Sequence, residues 1–293
     1  MEHELWSILS VAIQDVKRAR RANAYHTHDH DRIIRVYLWA VLHDRPVSWA
    51  CHAQNWGRRT RPATLPSQSC VSRRLRTEAI QQFLEALGRR LVAMIRGAWA
   101  WLKIIDGKPL VVAAHSKDPD IAWGRGAGQQ SKGYKLYAVY DGSPMPCAWQ
   151  VEPMNRDERV IARQLIPRLC GGGYLLGDAV YDDSALFGLA AEHGHRLLAP
   201  RARRYVGLGH RRHSEHRLSC IANLETPGAR GASNMSQAIM RARRLIETLF
   251  GNLTSFGGGL TCLPPWVRRL HRVKLYVQAK LLINAARIIS IHA

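Results

Sequence analysis

At Trp101 the hydrophobic period of this 293-residue chain changes, and that break constrains its fold more than any other feature. Before it, apolar residues recur at helical spacing through Glu4–Arg21, Asp31–His43, the stretch near Val47–Trp56 and the long amphipathic Thr77–Arg96. Ser67-Gln68-Ser69 can cap a further helix after the Arg/Pro-rich break at 58–66. After Trp101 come short β-rich runs: Leu102–Asp106, Tyr134–Tyr140, and Cys147–Val151 beyond the Asp141-Gly142-Ser143-Pro144 turn. Residues 156–169 then read as a helix, Tyr174–Gly177 as a buried strand, Asp183–His193 as a helix and Arg196–Ala199 as a strand. Residues 201–234 read as an irregular insertion, Gln237–Leu253 as a helix stopped by the glycines at 257–259, and 263–291 as a last helical segment. The order β-β-β-α-β-α-β, closed by a helix, predicts an α/β fold with mixed strand directions behind an all-helical N-terminal region. Two domains are expected, 1–97 and 98–293, the second carrying a basic insertion at about 201–234.

Charge follows the same division. Residues 1–97 hold sixteen Lys and Arg against eight Asp and Glu, and 201–293 hold sixteen against three, whereas 98–200 hold eleven of each. The net charge of +21 therefore lies wholly in the flanks. A field of that sign recruits polyanions, which favours nucleic acid over a small acidic metabolite. No apolar run reaches membrane-spanning length, and neither a basic amphipathic membrane helix nor a secretion signal is evident. The six cysteines are scattered without a C-x-x-C pair and read as reduced, cytoplasmic residues.

Against this basic background three acids stand out. Asp106 closes one predicted strand and Asp178 another, so both carboxylates project from the same end of the sheet if those strands are neighbours. Glu247 lies within the predicted 237–253 helix, with Arg243 one turn before it. Two strand-end Asp residues and a helical Glu can supply oxygen ligands to two Mg²⁺ ions, which stabilise the attacking and leaving oxygens of an in-line displacement.

Ile105-Asp106-Gly107, then Gly177-Asp178-Ala179-Val180-Tyr181-Asp182, then the run from Arg243 to Leu253 resemble, in order and type, the three blocks of bacterial insertion-sequence transposases with a DDE domain. Lys132-Gly133-Tyr134-Lys135-Leu136 is similar to the basic strand those enzymes carry between their first two acids. The resemblance spans about residues 101–290. It implies an RNase H-like mixed sheet flanked by helices, dependence on Mg²⁺ or Mn²⁺, and cutting and joining of DNA at element ends. It gives Asp106, Asp178 and Glu247 the metal-ligand and catalytic roles. Two positions depart from the pattern: Met240 and Thr254 stand where many relatives have Tyr and Lys, seven residues either side of Glu247. Without that lysine, end binding is expected either to be weaker or to be carried by Arg244 or Lys274.

The expected partner is double-stranded DNA, at element ends and target, bound by a homodimer in the bacterial cytoplasm at the nucleoid. Short helices with Arg58, Arg59, Arg73, Arg74 and Arg76 at their junctions suit DNA contact of helix-turn-helix type. Lys135, Arg243 and Arg244 are expected at the DNA backbone, and Trp123, beside Arg125, is expected to stack on an unpaired base. Trp6, Trp39, Trp49, Trp56, Trp99 and Trp101 read mostly as core. Gly124–Gly128 reads as a flexible loop. His210, His213, His216 and Cys220 match no standard zinc spacing, and the arginines among 201–217 point to phosphate instead. The competing functions are a catalytically inactive DNA-binding relative and a plain metal-dependent nuclease.

Overall fold

The computed structural model describes residues 2–19, 28–95, 99, 101–126, 128–202, 207–208, 212–226, 234–254 and 259–292. The chain divides into two compact units, one formed by 1–96 together with 252–293, the other by 97–251.

The first unit is helical. Its elements are α1 (Glu2–Ala19), α2 (His30–Leu42), α3 (Val47–Ala50) with a 3₁₀ turn at Ala53–Asn55, α4 (Gln68–Arg74) and α5 (Glu78–Val92). Ser67 caps α4 as expected, its Oγ accepting the Cys70 N–H at 3.3 Å. Trp6, Trp39 and Trp56 form a buried cluster in which Trp39 stacks on Trp56 at 4.8 Å and meets Trp6 edge-on at 4.8 Å.

The last helix of the chain completes this bundle. It spans Leu270–His292, and along it Val273, Leu275 to Ala286 and Ile289 are all buried. A helix that is buried on every side belongs at the centre of a bundle. It packs against α1, α2 and α5. The expected boundary, which joined 252–293 to the α/β half, is thereby corrected: those residues pack with the N-terminal helices.

Three polar residues of that helix, Gln278, Lys280 and Asn284, are buried with it. The Lys280 ammonium, wholly enclosed, donates to the Val41 carbonyl at 2.9 Å and to Asp44 Oδ1 at 2.6 Å, and the Tyr276 hydroxyl donates to the same oxygen at 2.7 Å. Burial lowers the lysine's pKa, and Asp44 pulls it back up. Asp44 follows α2 with φ +50°, a left-handed conformation that Asp and Asn tolerate best among residues with a Cβ.

The second unit is α/β. Strand β1 (Leu102–Val111) is central, antiparallel to β3 (Gln129–Tyr140) and parallel to β5 (Gly173–Leu176), which pairs in parallel with β6 (His195–Leu198). β2 (Ala122–Gly126) and β4 (Ala148–Pro153) pair with successive halves of the long β3. Helix α6 (Glu158–Leu165) connects β4 to β5, and α7 (Ser184–Glu192) connects β5 to β6. Antiparallel strands followed by two parallel ones with intervening helices are the arrangement expected of an RNase H-like sheet.

Two elements depart from expectation. Gly124 and Gly126, expected in a loop, lie in the strand Ala122–Gly126, whose Trp123 pairs with Lys132. A Cβ at Gly124 would strike the Met154 carbonyl, so glycine here reflects a crossing backbone and not mobility. The expected insertion contains α8 (Glu215–Glu225), of which only Cys220 and Ile221 are buried, so no apolar stripe announced it. α8 is held by polar contacts instead, through Arg217 to Asp182 and the Cys220 thiol to the Ala199 carbonyl at 3.6 Å. The chain continues through α9 (Met235–Arg241), a 3₁₀ turn at Ala242–Arg244 and α10 (Leu245–Thr254) to α11, the central helix Leu270–His292. No described helix is long and apolar enough to cross a membrane.

The Lys280–Asp44 pair gives a test. Asp44→Asn keeps the left-handed backbone but leaves a buried ammonium without a counter-charge, and should cost about 2 kcal/mol in urea unfolding of the full chain. Adding Lys280→Met should restore most of that loss.

Candidate active site

Asp106 lies midway along β1, two residues past the last β1–β5 pair, Ile104↔Leu176, and Asp178 lies two residues past Leu176; the Asp178 charge acts on Asp106. Asp178 follows the end of its strand as expected, but Asp106 does not close β1, which runs on through Gly107 to Val111 in its ladder with β3. Asp106 Oδ1 accepts the N–H of Gly107 at 2.7 Å. Asp178 caps a 3₁₀ turn at Ala179–Tyr181, its Oδ1 accepting the Val180 N–H at 2.9 Å. Burial pushes the Asp106 carboxyl up to about 6, and the negative charges of Asp178 and Glu158 push in the same direction; the Gly107 N–H and Arg243 oppose them.

Glu247 is on α10, exposed, with no hydrogen bond or ion pair to any described residue. The structure therefore brings Asp106 and Asp178 together, and what approaches them from Glu247's segment is Arg243, whose Nη1 lies 3.8 Å from Asp106 Oδ2. α10 reaches the sheet through Phe250, which meets Tyr140 edge-on at 6.0 Å and lies 5.9 Å under the Lys108 ammonium. Residues two apart on a strand share a face, so Asp106 and Lys108 look the same way, toward α10. Burial lowers the Lys108 pKa. Among the described residues no three His, Cys, Asp or Glu side chains come close enough together to hold a metal ion. The chemistry of the donors nevertheless suits one. Asp106, Asp178 and Glu247 offer hard anionic oxygens, and the Asp178 and Glu158 charges, which add to burial in raising the Asp106 pKa, are what a divalent cation would offset.

The other expected residues divide. Lys135 is 7% exposed and its ammonium is bound to Glu158 at 2.8 Å, a structural engagement and not one open to phosphate. Arg74 is likewise buried, donating to the His28 carbonyl at 3.2 Å, whereas Arg73 and Arg244 are exposed. Trp123 is 57% exposed at the lip of an open cleft of about 700 Å³, shared with Arg125, Arg156, Val180 and Glu158. Trp101, expected in the core, is 56% exposed. In the insertion, His213 spends both ring nitrogens, one on the Leu208 carbonyl and one on Arg217, and Cys220 is buried. Arg217 is bound through two nitrogens to Asp182, and Arg201 to Glu225, so neither is spare for phosphate. His210 lies outside the described residues.

The sequence did not single out Glu158, Tyr181 or Lys108. Lys108 was accessible through its two-residue spacing from Asp106. Glu158 sat in a predicted helix start beside Asp157, and nothing in one sequence separates an acid that turns inward from one that caps the helix.

A mixed sheet of this order, with Asp106 on the central strand β1 and Asp178 just past the parallel strand β5, defines an RNase H-like protein. The chain belongs to the transposase DDE domain family, whose model matches residues 100–276, well over half of its length. A cryo-EM structure of a piggyBac transposase synaptic complex with hairpin DNA is similar in fold, with a TM-score of 0.50 and 11% identity over 99% of this chain and 72% of that one. No curated protein matches the chain.

The raised Asp106 pKa sets a pH test. A carboxyl whose pKa is higher in the fold than in the unfolded chain binds more protons when folded. Its charge therefore destabilises the fold increasingly as pH climbs from 3.8 through about 6, and fully above that. Asp106→Asn should thus stabilise the protein in chelator-treated buffer at pH 7.5 by about 2 kcal/mol. In thermal unfolding followed across pH, that gain should vanish near pH 4.

Proposed function

We propose that the chain cleaves DNA at the ends of a mobile element and joins the freed ends to target DNA, using Asp106, Asp178 and Glu247 as its catalytic carboxylates. The observation that carries this reading is the position of Asp106 and Asp178, each two residues past the last β1–β5 pair, with the Asp178 charge acting on a half-buried Asp106. Family membership supports it, as does the exposed, unengaged carboxylate of Glu247. Mg²⁺ or Mn²⁺ bound by these carboxylates would activate the attacking oxygen and stabilise the leaving one. Arg243, beside Asp106, sets a guanidinium where a scissile phosphate would approach the acid, and exposed Arg244 extends that positive surface. Water is the nucleophile in the first step and the freed 3′-hydroxyl in the second. One set of carboxylates serves both, because each step is an in-line displacement at phosphorus.

The flanks hold the duplex. In the helical unit, α4 and α5 are joined by a short turn at 75–77 and expose Arg73 and Arg76, a geometry suited to a helix lying on DNA. Trp123 and Arg125 offer a stacking surface and a cation for unpaired nucleotides at the cleft. The active assembly is a homodimer on DNA, working at the bacterial nucleoid.

Asp106→Asn, Asp178→Asn and Glu247→Gln should each reduce cleavage of an end-bearing duplex below detection in Mg²⁺ while leaving its binding in gel shift within a fewfold of wild type. Retained cleavage by any one would remove that residue from the catalytic set. Products joined to target DNA separate a transposase from a plain nuclease, and absence of both activities in the wild type would mark an inactive DNA-binding relative.

Binding by the full chain should be steeply salt-dependent, because each neutralised phosphate releases condensed counterion. With six phosphate contacts the affinity should fall roughly a thousandfold between 50 and 200 mM salt. A flat salt response would show that the basic flanks do not carry the DNA.

A further inference from the structure

Asp106 and Asp178 each have a glycine beside them, and each glycine is covered by a side chain of one hydrogen-bonded network. Gly107 follows Asp106, and the Lys135 stem lies across it so closely that a Cβ there would sit 2.9 Å from Lys135 Cδ. Gly177 precedes Asp178, and the Tyr181 ring lies against it, 2.8 Å from where a Cβ would be. Both covering side chains end on the same carboxylate. Lys135 Nζ donates to Glu158 Oε1 at 2.8 Å, and the Tyr181 hydroxyl donates to Glu158 Oε2 at 3.2 Å. Lys135 is 7% exposed and Tyr181 1%. Burial and the nearby acids raise the Tyr181 pKa well above its ordinary value, so the phenol keeps its proton and remains a donor.

We propose that Lys135, Glu158 and Tyr181 form a positioning clamp, anchored on α6, that fixes the spacing of Asp106 and Asp178 by gripping the backbone next to each. Three different elements contribute: Lys135 from β3, Glu158 from the first turn of α6, and Tyr181 from the turn that follows Asp178. β1 and β5 are hydrogen-bonded to each other only as far as Ile104 and Leu176, short of the two acids, so pairing alone does not hold residues 106 and 178 together. The clamp acts just where the pairing has ended. It also places the Glu158 charge near Asp106 while committing both carboxylate oxygens to donors. Glu158 thus shapes the acid pair from behind and is not itself free to ligate.

The clamp rests on the assignment of Asp106 and Asp178 as metal ligands, and one set of measurements tests the two separately. Mn²⁺ binding to the full-length protein would be followed by calorimetry without DNA, with thermal unfolding as a parallel readout. Asp106→Asn probes the ligand assignment and should abolish binding. Tyr181→Phe probes the clamp; it removes one hydroxyl, changes no charge and keeps the ring against Gly177. It should weaken Mn²⁺ binding about tenfold, the scale on which outer partners of metal ligands act, while the melting temperature stays near wild type. Glu158→Gln should weaken binding by up to about a hundredfold.

Unchanged Mn²⁺ affinity in Tyr181→Phe, with Asp106→Asn deficient, overturns the clamp and leaves the ligand assignment standing. Unchanged affinity in Asp106→Asn overturns the ligand assignment itself. Complete loss in Glu158→Gln, equal to that in Asp106→Asn, with Tyr181→Phe unaffected, would make Glu158 a ligand and overturn its positioning role. A melting temperature that falls in Tyr181→Phe without any change in affinity would assign the network to stability alone.

Discussion

Everything at the candidate site depends on the two-sided pairing of β1. It runs antiparallel to β3 along almost its whole length and parallel to β5 for only three residue pairs. The long antiparallel ladder makes β1 rigid, with its register pinned from Ile104 to Val111. The short parallel ladder then decides which residue of the β5 segment arrives beside Asp106. A slip of one residue there would turn Asp178 to the opposite face and bring Gly177 or Ala179 alongside. The parallel pair is fixed from the outside by β6, whose Leu197 and Leu198 pair with Leu175 and Leu176 in the buried layer. Packing of a few leucines thus decides the chemistry available at the sheet's end.

The electrostatics of that end run against stability. Asp106 is half-buried, with the charges of Asp178 and Glu158 acting on it, and a folded chain would be more stable without one of those charges. The surrounding contacts limit the cost without cancelling it: the Gly107 N–H, Arg243 at 3.8 Å and the Lys135–Glu158 pair each offset part of the repulsion. Strain of this kind is characteristic of sites kept for what they bind and not for what they contribute to the fold.

Much of this was legible in the sequence, for particular reasons. Asp106, Asp178 and the strands carrying them declare themselves because apolar runs with β-branched and aromatic residues end at those acids. β2 did not, because the glycines that let Met154 cross close by also erase the alternation that marks a strand. α8 did not, because its fixation is by charge and not by an apolar face. Lys135 and Arg74 misled in the other direction. Their identity suggested phosphate, yet one is spent on Glu158 and the other on the His28 carbonyl, and burial is a tertiary fact that charge alone does not reveal. The last helix was legible as a helix, but which unit it entered was not, because its packing against α1, α2 and α5 is a tertiary fact.

That last helix also sets an order of events during synthesis. The helical unit is written in two pieces, with the whole of 97–251 between them. On a ribosome adding roughly 5–20 residues per second, the N-terminal helices wait on the order of ten to thirty seconds for their central helix. The α/β unit is complete before that helix emerges, so the sheet and its acids can settle while the basic bundle is still open. The helical unit is therefore the last to be completed, and its closure joins Lys280 to Asp44, two residues separated by most of the chain.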